Sequence, residues 1–327
     1  MTRERESAIQ YTQSADGASR EGDHVALESV DLCSLEGTLG DAATTALGES
    51  LERFGFVNLL NHGISWEDLE LIQTLAGALF ASPLEEKLRC ADPARGYQRG
   101  YTPMRGERAR DQRVGDLKEF WHIGRSLDRD DPIFEKVGPN RFPEDSTVFK
   151  AHALRLFERL EEVARFVLRA IARHLRLSEV DTAYLSQIAD QGNSVLRVIH
   201  YPSLTGGEQE GVRAAAHEDI NLLTLLPTAS KPGLQLLDRA GNWRSIEAPR
   251  GALICDTGDM MALLTGGRLP ATTHRVVNPP NDDGGRISTP FFLHPHPTTI
   301  LRPIFGESTP RRAHEFLKER LRENGLL

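Results

Sequence analysis

The runs VLRVIH (195–200), LLTLL (222–226), LQLL (234–237), ALIC (252–255), TTHRVV (272–277) and ISTPFFL (287–293) decide the fold. Each is short, apolar, and alternating or continuous rather than helical in period. Turn-forming residues separate them: Pro202-Ser203, Gly206-Gly207, Lys231-Pro232-Gly233, Ala240-Gly241-Asn242, Pro279-Pro280-Asn281 and Asp283-Gly284-Gly285. Several short strands at this spacing argue for a β-sandwich or barrel.

Upstream the period lengthens. Leu39, Ala43, Leu47, Leu51 and Phe54 share a helical face that Gly55 stops. FVNLL (56–60) reads as a strand closed by the turn Asn61-His62-Gly63. Ser65 caps a helix running through Leu69, Ile72, Ala76 and Leu79, and Pro83 opens another. A strand is expected at 100–103 and another at 116–124. A long helix follows at 147–175, with Phe157, Leu160, Val167 and Ile171 in its stripe. From Pro310 onward Ala313, Phe316, Leu317 and Leu321 give a last helix. The chain thus divides into a polar tail (1–24), a helical region (25–188), a β core (189–300) and a C-terminal helix (301–327), an α+β arrangement.

The 327 residues are 39% hydrophobic and 26% charged, with net charge −8, as expected of a globular protein. The acidic balance disfavours nucleic acid as a partner. No apolar run approaches a membrane span, and the N-terminus has no secretory apolar segment. Three distant cysteines, Cys33, Cys90 and Cys255, exclude a disulfide framework and suit a cytoplasmic location. GxGxxG, Walker, GxSxG and HExxH patterns are all absent.

The histidines of the β region remain. In a strand, His217 and Asp219 would point one way and Glu218 the other. His274 lies in a second strand-like run. Two imidazoles and one carboxylate form the facial triad of non-haem Fe(II), which leaves positions open for a chelating cosubstrate and O2. Arg286 and Ser288 also share a strand face, and a guanidinium beside a hydroxyl matches a carboxylate. Tyr201 offers a phenolic donor to the same anion. A lone strand histidine is usually structural, and His62, His122, His200, His294 and His296 are read that way; Cys255 is read as an inert buried thiol. The combination with Arg286-x-Ser288 lifts the triad above that alternative.

These stretches resemble the Fe(II)/2-oxoglutarate-dependent oxygenases of the isopenicillin N synthase-like group. The likeness runs from Gly55-Phe56-Val57 and Asn61-His62-Gly63, through Tyr201-Pro202 and His217-Glu218-Asp219, to Thr273-His274-Arg275 and Arg286-Ile287-Ser288. It implies a double-stranded β-helix, a distorted jelly roll, with a helical N-terminal region. His217, Asp219 and His274 would bind Fe(II). Arg286 and Ser288, helped by Tyr201, would hold the distal carboxylate of 2-oxoglutarate. A small molecule would be hydroxylated or desaturated, with O2 consumed and succinate and CO2 released. Asn221 departs from the glycine many members carry there; it either reaches toward the site or alters a turn.

Three rivals stand beside this reading: an oxidase of the isopenicillin N synthase type using no 2-oxoglutarate, an ethylene-forming enzyme oxidising 2-oxoglutarate itself, and a binding protein with a vestigial metal site. The substrate is open. Arg95, Arg99, Arg105, Arg108, Arg110 and Arg113 form either a solvated, charge-balanced loop or a lid selecting an anionic small molecule.

Overall fold

The stripe at 39–54 folds as helix α1, Asp41–Phe54, burying Leu47 and Leu51. Gly55 ends it at φ 70°, in the left-handed region that favours glycine. A Cβ there would also stand 2.5 Å from the Thr272 hydroxyl. The structure, a computed structural model, describes residues 24–33, 38–106, 115–203, 213–228, 233–277 and 285–323. The tail expected at 1–24 therefore lies, but for His24, outside the described residues.

Helix α2, Trp66–Phe80, starts where Ser65 was expected to cap it, the hydroxyl accepting from the Asp68 N–H at 3.1 Å. Pro83 precedes α3, Leu84–Arg89, rather than entering its first turn. After a short α4, Phe134–Val137, the long helix α5 spans Thr147–His174 and packs on α1, α2 and α6, Glu179–Gln187. Its Phe157 meets Phe291 edge-on, ring centroids 5.2 Å apart, which fastens the helical layer to the β core. The last helices are α7, Asp259–Leu264, and α8, Ala313–Glu323. Residues 300–312 are not helical; strands at Ile300–Leu301 and Arg311–Arg312 pair there.

The strands in chain order are β1 His24–Val25, β2 Ser29–Asp31, β3 Phe56–Leu60, β4 Gly100–Thr102, β5 Glu119–Ile123, β6 Val195–Tyr201, β7 Ala214–His217 and β8 Leu223–Pro227. They continue as β9 Leu234–Leu237, β10 Trp243–Ile246, β11 Leu253–Thr257, β12 His274–Val276, β13 Arg286–Ser288, β14 Phe291–Leu293, β15 Ile300–Leu301 and β16 Arg311–Arg312. A five-stranded sheet runs β1-β10-β9-β12-β7. A nine-stranded sheet runs β2-β3-β11-β8-β14-β6-β5-β4, with β13 also on β6. The inner faces share one core, in which Phe56 and Ile254 of the larger sheet meet Leu234, Leu236 and Val276 of the smaller. This is the jelly roll between helices that the strand spacing and the resemblance imply.

The larger sheet has two unlike faces. Leu196, Val198, Leu223, Leu225 and Phe291 join the helical core. Ile199, Tyr201 and Phe120 cluster on the opposite, inward face. On the helix side sits a buried polar network. Glu119 binds Lys87 Nζ at 2.8 Å, Tyr101 OH at 2.6 Å and His200 Nδ1 at 2.8 Å, which satisfies its charge. These contacts outweigh burial and hold the Glu119 carboxyl down at about 2.

Candidate functional site

His217 ends β7, His274 begins β12, and the two are direct cross-strand partners. Asp219 lies beyond the strand. The alternation argument therefore does not place it; a turn does. Residues 219–222 curl back so that their carbonyls meet the start of α7. Asp259 N–H donates to Asp219 O at 2.8 Å, and Met260 N–H to Asn221 O at 3.2 Å. Gly258 is required there, since a Cβ would stand 2.4 Å from Asn221 O and 2.7 Å from Asp219 O.

The turn brings Asp219 Oδ1 to 3.7 Å from His217 Nε2 and 4.0 Å from His274 Nε2. One ligand atom from each residue lies within 4.8 Å of the other two. Both rings are oriented by backbone: His217 Nδ1 contacts Ala215 O at 2.8 Å and His274 Nδ1 contacts Thr272 O at 3.1 Å. A carbonyl only accepts, so each Nδ1 carries a proton, which in the neutral ring leaves Nε2 as the nitrogen that can bind a metal. The His217 side chain is 42% exposed. Desolvation by the surrounding protein, with His274 beside it, pushes the His217 imidazole down, which favours its unprotonated form. Burial acts to raise Asp219, but His274, His217 and a hydrogen bond from Thr224 outweigh it and hold its carboxyl low. Two imidazoles and a carboxylate are a donor set that fits Fe(II).

Asp219 is itself held. Thr224 Oγ1 donates to its Oδ2, and Asn221 Nδ2 donates to Thr224 Oγ1 at 2.9 Å. Asn221, the departure seen in the sequence, is thus buried and one hydrogen bond removed from Asp219. Behind Thr224 lies Asp256, raised well above the carboxylate range by burial and by the Asp219 charge. Glu218 faces away, accepting from Thr273 Oγ1 at 2.9 Å and lying 3.7 Å from Arg320 of α8.

On the larger sheet, β13 sets Arg286 opposite Tyr201 and Ser288 opposite Ile199. Arg286, Ser288 and Tyr201 are all buried. The Arg286 guanidinium carbon is 5.8 Å from the Tyr201 ring centroid. Its Nε and Nη1 have no partner among the described residues, although Arg286 is only 4% exposed. Burial, with the charge of Arg213 nearby, pushes its pKa down. A buried guanidinium with orphaned donors is costly unless an anion completes it.

The other histidines have structural partners. His62 bonds Gly251 O at 2.8 Å, His200 bonds Glu119, and His296 bonds Thr298 Oγ1 at 2.7 Å. Cys255 is fully buried, its thiol pushed well up. His294 departs from the plain reading: burial pushes it down to about 4, and it feels the charges of Asp219, Arg197 and Arg99. The arginine loop is also not uniform. Arg95 pairs with Asp92 at 2.9 Å, whereas Arg99 is buried at 1% exposure, which contradicts a solvated loop at that position. Arg108, Arg110 and Arg113 lie outside the described residues.

Two family models match the chain. One, the 2OG-Fe(II) oxygenase superfamily, covers residues 192–295. The other, a non-haem dioxygenase in morphine synthesis N-terminal model, covers residues 27–145. Among curated relatives, the 2-oxoglutarate-Fe(II) type oxidoreductase hxnY of Emericella nidulans is 29% identical over 264 residues, 78% of this chain and 74% of that protein. Homoarginine-6-hydroxylase 2-ODD-C23.1 of Arabidopsis thaliana is 30% identical over 258 residues, 76% of each. A Caulobacter crescentus protein solved as a 2OG-Fe(II) oxygenase family member superposes with TM-score 0.82 at 36% identity, over 91% of this chain and 99% of that one.

Proposed function

Because the chain belongs to the 2OG-Fe(II) oxygenase superfamily, we propose that His217, Asp219 and His274 hold its iron and that Arg286, Ser288 and Tyr201 receive the distal carboxylate of 2-oxoglutarate. The protein is a 2-oxoglutarate/Fe(II)-dependent dioxygenase that oxidises a small molecule. When bound, the iron and the 2-oxo acid supply O2 activation, with succinate and CO2 released.

The chain's own residues do the positioning. Backbone carbonyls accept from Nδ1 of His217 and of His274, so in the neutral rings Nε2 is the nitrogen that would bind the metal. Thr224 leaves one oxygen of Asp219 for the metal by engaging the other. Arg286 supplies two nitrogens, Nε and Nη1, that have no partner among the described residues, and Ser288 adds a hydroxyl on the same strand face. The single observation that carries this reading is that buried guanidinium, whose Nε and Nη1 have no partner among the described residues and call for an anion. The oxidase and ethylene-forming alternatives are not favoured, since the relatives are named as 2-oxoglutarate-Fe(II) oxidoreductases and hydroxylases.

We read 25–188 as the support and 189–300 as the chemical core. No helix among the described residues is long and apolar enough to cross a membrane. A cytoplasmic location is favoured by three free thiols, Cys33 exposed and Cys90 and Cys255 buried. The finer substrate reading, an anionic small molecule, rests on the arginines between Arg95 and Arg113, of which Arg99 is buried. Anaerobic titration with Fe(II) and 2-oxoglutarate, followed by a substrate screen reporting succinate, tests the assignment. Loss of 2-oxoglutarate binding in Arg286→Leu supports it, and unchanged binding sinks it.

A further inference from the structure

Helix α8 reaches back to the turn that carries Asp219. Its Arg320 is ringed by three carboxylates. Nε donates to Asp259 Oδ2 at 2.7 Å and Nη1 to Glu323 Oε2 at 2.6 Å, while Nη2 lies 3.7 Å from Glu218 Oε2. Asp259 is the inner partner, its side chain 10% exposed against 36% for Glu218 and 44% for Glu323. A short charge-assisted bond to a buried carboxylate is the strong contact of the three, and exposed ion pairs contribute little.

The main chain of Asp259 holds the turn. Its N–H donates to Asp219 O at 2.8 Å, flanked by Gly258 N–H on Leu222 O at 3.3 Å and Met260 N–H on Asn221 O at 3.2 Å. Asp259 is thus gripped twice, by α8 at its carboxylate and by the turn at its amide. Two short steps, a side-chain bond and a main-chain bond, lead from Arg320 to Asp219. Among the described residues Arg320 is the hydrogen-bond partner of the Asp259 side chain. Without it the carboxylate would be left buried and unpaired, a costly state relieved by swinging toward water. The start of α7 would move with it, and the turn packs too closely on Gly258 to stay behind. The route through Glu218 is weaker, because its contact with Arg320 is longer and its side chain faces away from the metal ligands.

We propose that Arg320 and Asp259 are positioning residues for the metal: through their bond, α8 fixes the turn that sets Asp219 against His217 and His274. The proposal deepens the oxygenase reading and rests on its placement of the iron. It makes the C-terminal helix part of the metal site's frame.

The test is titration of the metal-free, full-length protein with Co(II), read by its visible d–d absorption. Arg320→Met should weaken Co(II) binding about fivefold or more. That lies just below the roughly 10- to 100-fold of direct outer-shell partners, since Arg320 stands one bond further out. Arg320→Lys should recover part of the loss. In an Asp259→Ala background, where the route is already cut, Arg320→Met should cost less than about twofold more. In a Glu218→Ala background its full effect should persist. A merely structural Arg320 would move the melting temperature and leave Co(II) affinity alone. Unchanged Co(II) affinity in Arg320→Met, or an undiminished effect once Asp259 is alanine, overturns the proposal. Arg320→Gln repeats the measurement where the Met variant fails to fold, and unchanged affinity there overturns it equally. Failure of the wild-type protein to bind Co(II), or wild-type binding in His274→Ala, would instead sink the triad, so the two failures are distinguishable.

Discussion

His217 and His274, 57 positions apart in the chain, are direct cross-strand neighbours with ring centroids 4.4 Å apart. The pairing of β7 with β12 brings together two of the three proposed metal ligands. Only Asp219 must be delivered separately, by the turn that α7 caps.

Removing either imidazole should therefore abolish tight metal binding. For His217→Ala and His274→Ala the loss of Fe(II) affinity should exceed the roughly 10- to 100-fold that outer-shell changes cause. Glu218→Ala should leave it nearly unchanged, because that carboxylate meets Thr273 and Arg320 instead. Iron content after desalting checks this, and wild-type retention in either histidine variant would rule out the assignment.

Thr224 acts through Asp219. Thr224→Val removes the hydroxyl that engages Oδ2 and leaves the carboxylate free to turn. Fe(II) or Co(II) affinity should drop about 10-fold or more, and Thr224→Ser should recover most of it. Equal affinities in the Val and Ser variants would make Thr224 a packing residue only.

The cosubstrate should be weakened at one arginine. Arg286→Leu should raise the KM for 2-oxoglutarate roughly ten- to hundredfold, corresponding to about 1.5–3 kcal/mol for charge-assisted hydrogen bonds. A loss of substrate affinity with an unchanged 2-oxoglutarate KM would argue for the oxidase mechanism instead.

His294 carries a pH signature. Burial pushes it down to about 4, so between that value and about 6.5 the unfolded chain binds a proton that the folded chain refuses. Its contribution to stability is present above about 6.5 and is lost as the pH falls toward 4. Melting temperatures of the metal-free protein from pH 7 to pH 4.5 should fall less steeply in His294→Gln, and parallel curves would reject the effect.

Several elements were legible because their apolar spacing is unambiguous. Helices α1, α2 and α5 and strand β3 follow directly from stripes such as Leu47-Leu51 and Phe157-Leu160-Ile171. Helix α6 was not, since Leu185 is its one buried residue and Ser178 its one clear signal. Strand β7 is AAAH, and alanine has no strand preference to betray it. The residue types of the candidate triad were readable, and Asp219 does face His217 while Glu218 turns away, but the cause is a turn whose carbonyls meet α7 rather than strand alternation. Asn221 was noticed only as an unusual residue. Its bond to Thr224, like the His122–Arg197 contact, exists only once the sheet has formed. Arg99 looked like a loop cation because nothing local to it announces burial.

The alternating faces of β6 make this strand intolerant of insertions and deletions. Tyr201 and Arg197 look inward, while Leu196, Val198 and His200 serve the helical core and the Glu119 network. A frame slip of one residue would exchange the two sets. It would turn Tyr201 toward Glu119, set an imidazole beside Arg286 and turn Arg197 away from the inward face. Point substitutions on either face can drift separately, but a single inserted residue would disable the proposed cosubstrate end and the helix packing together.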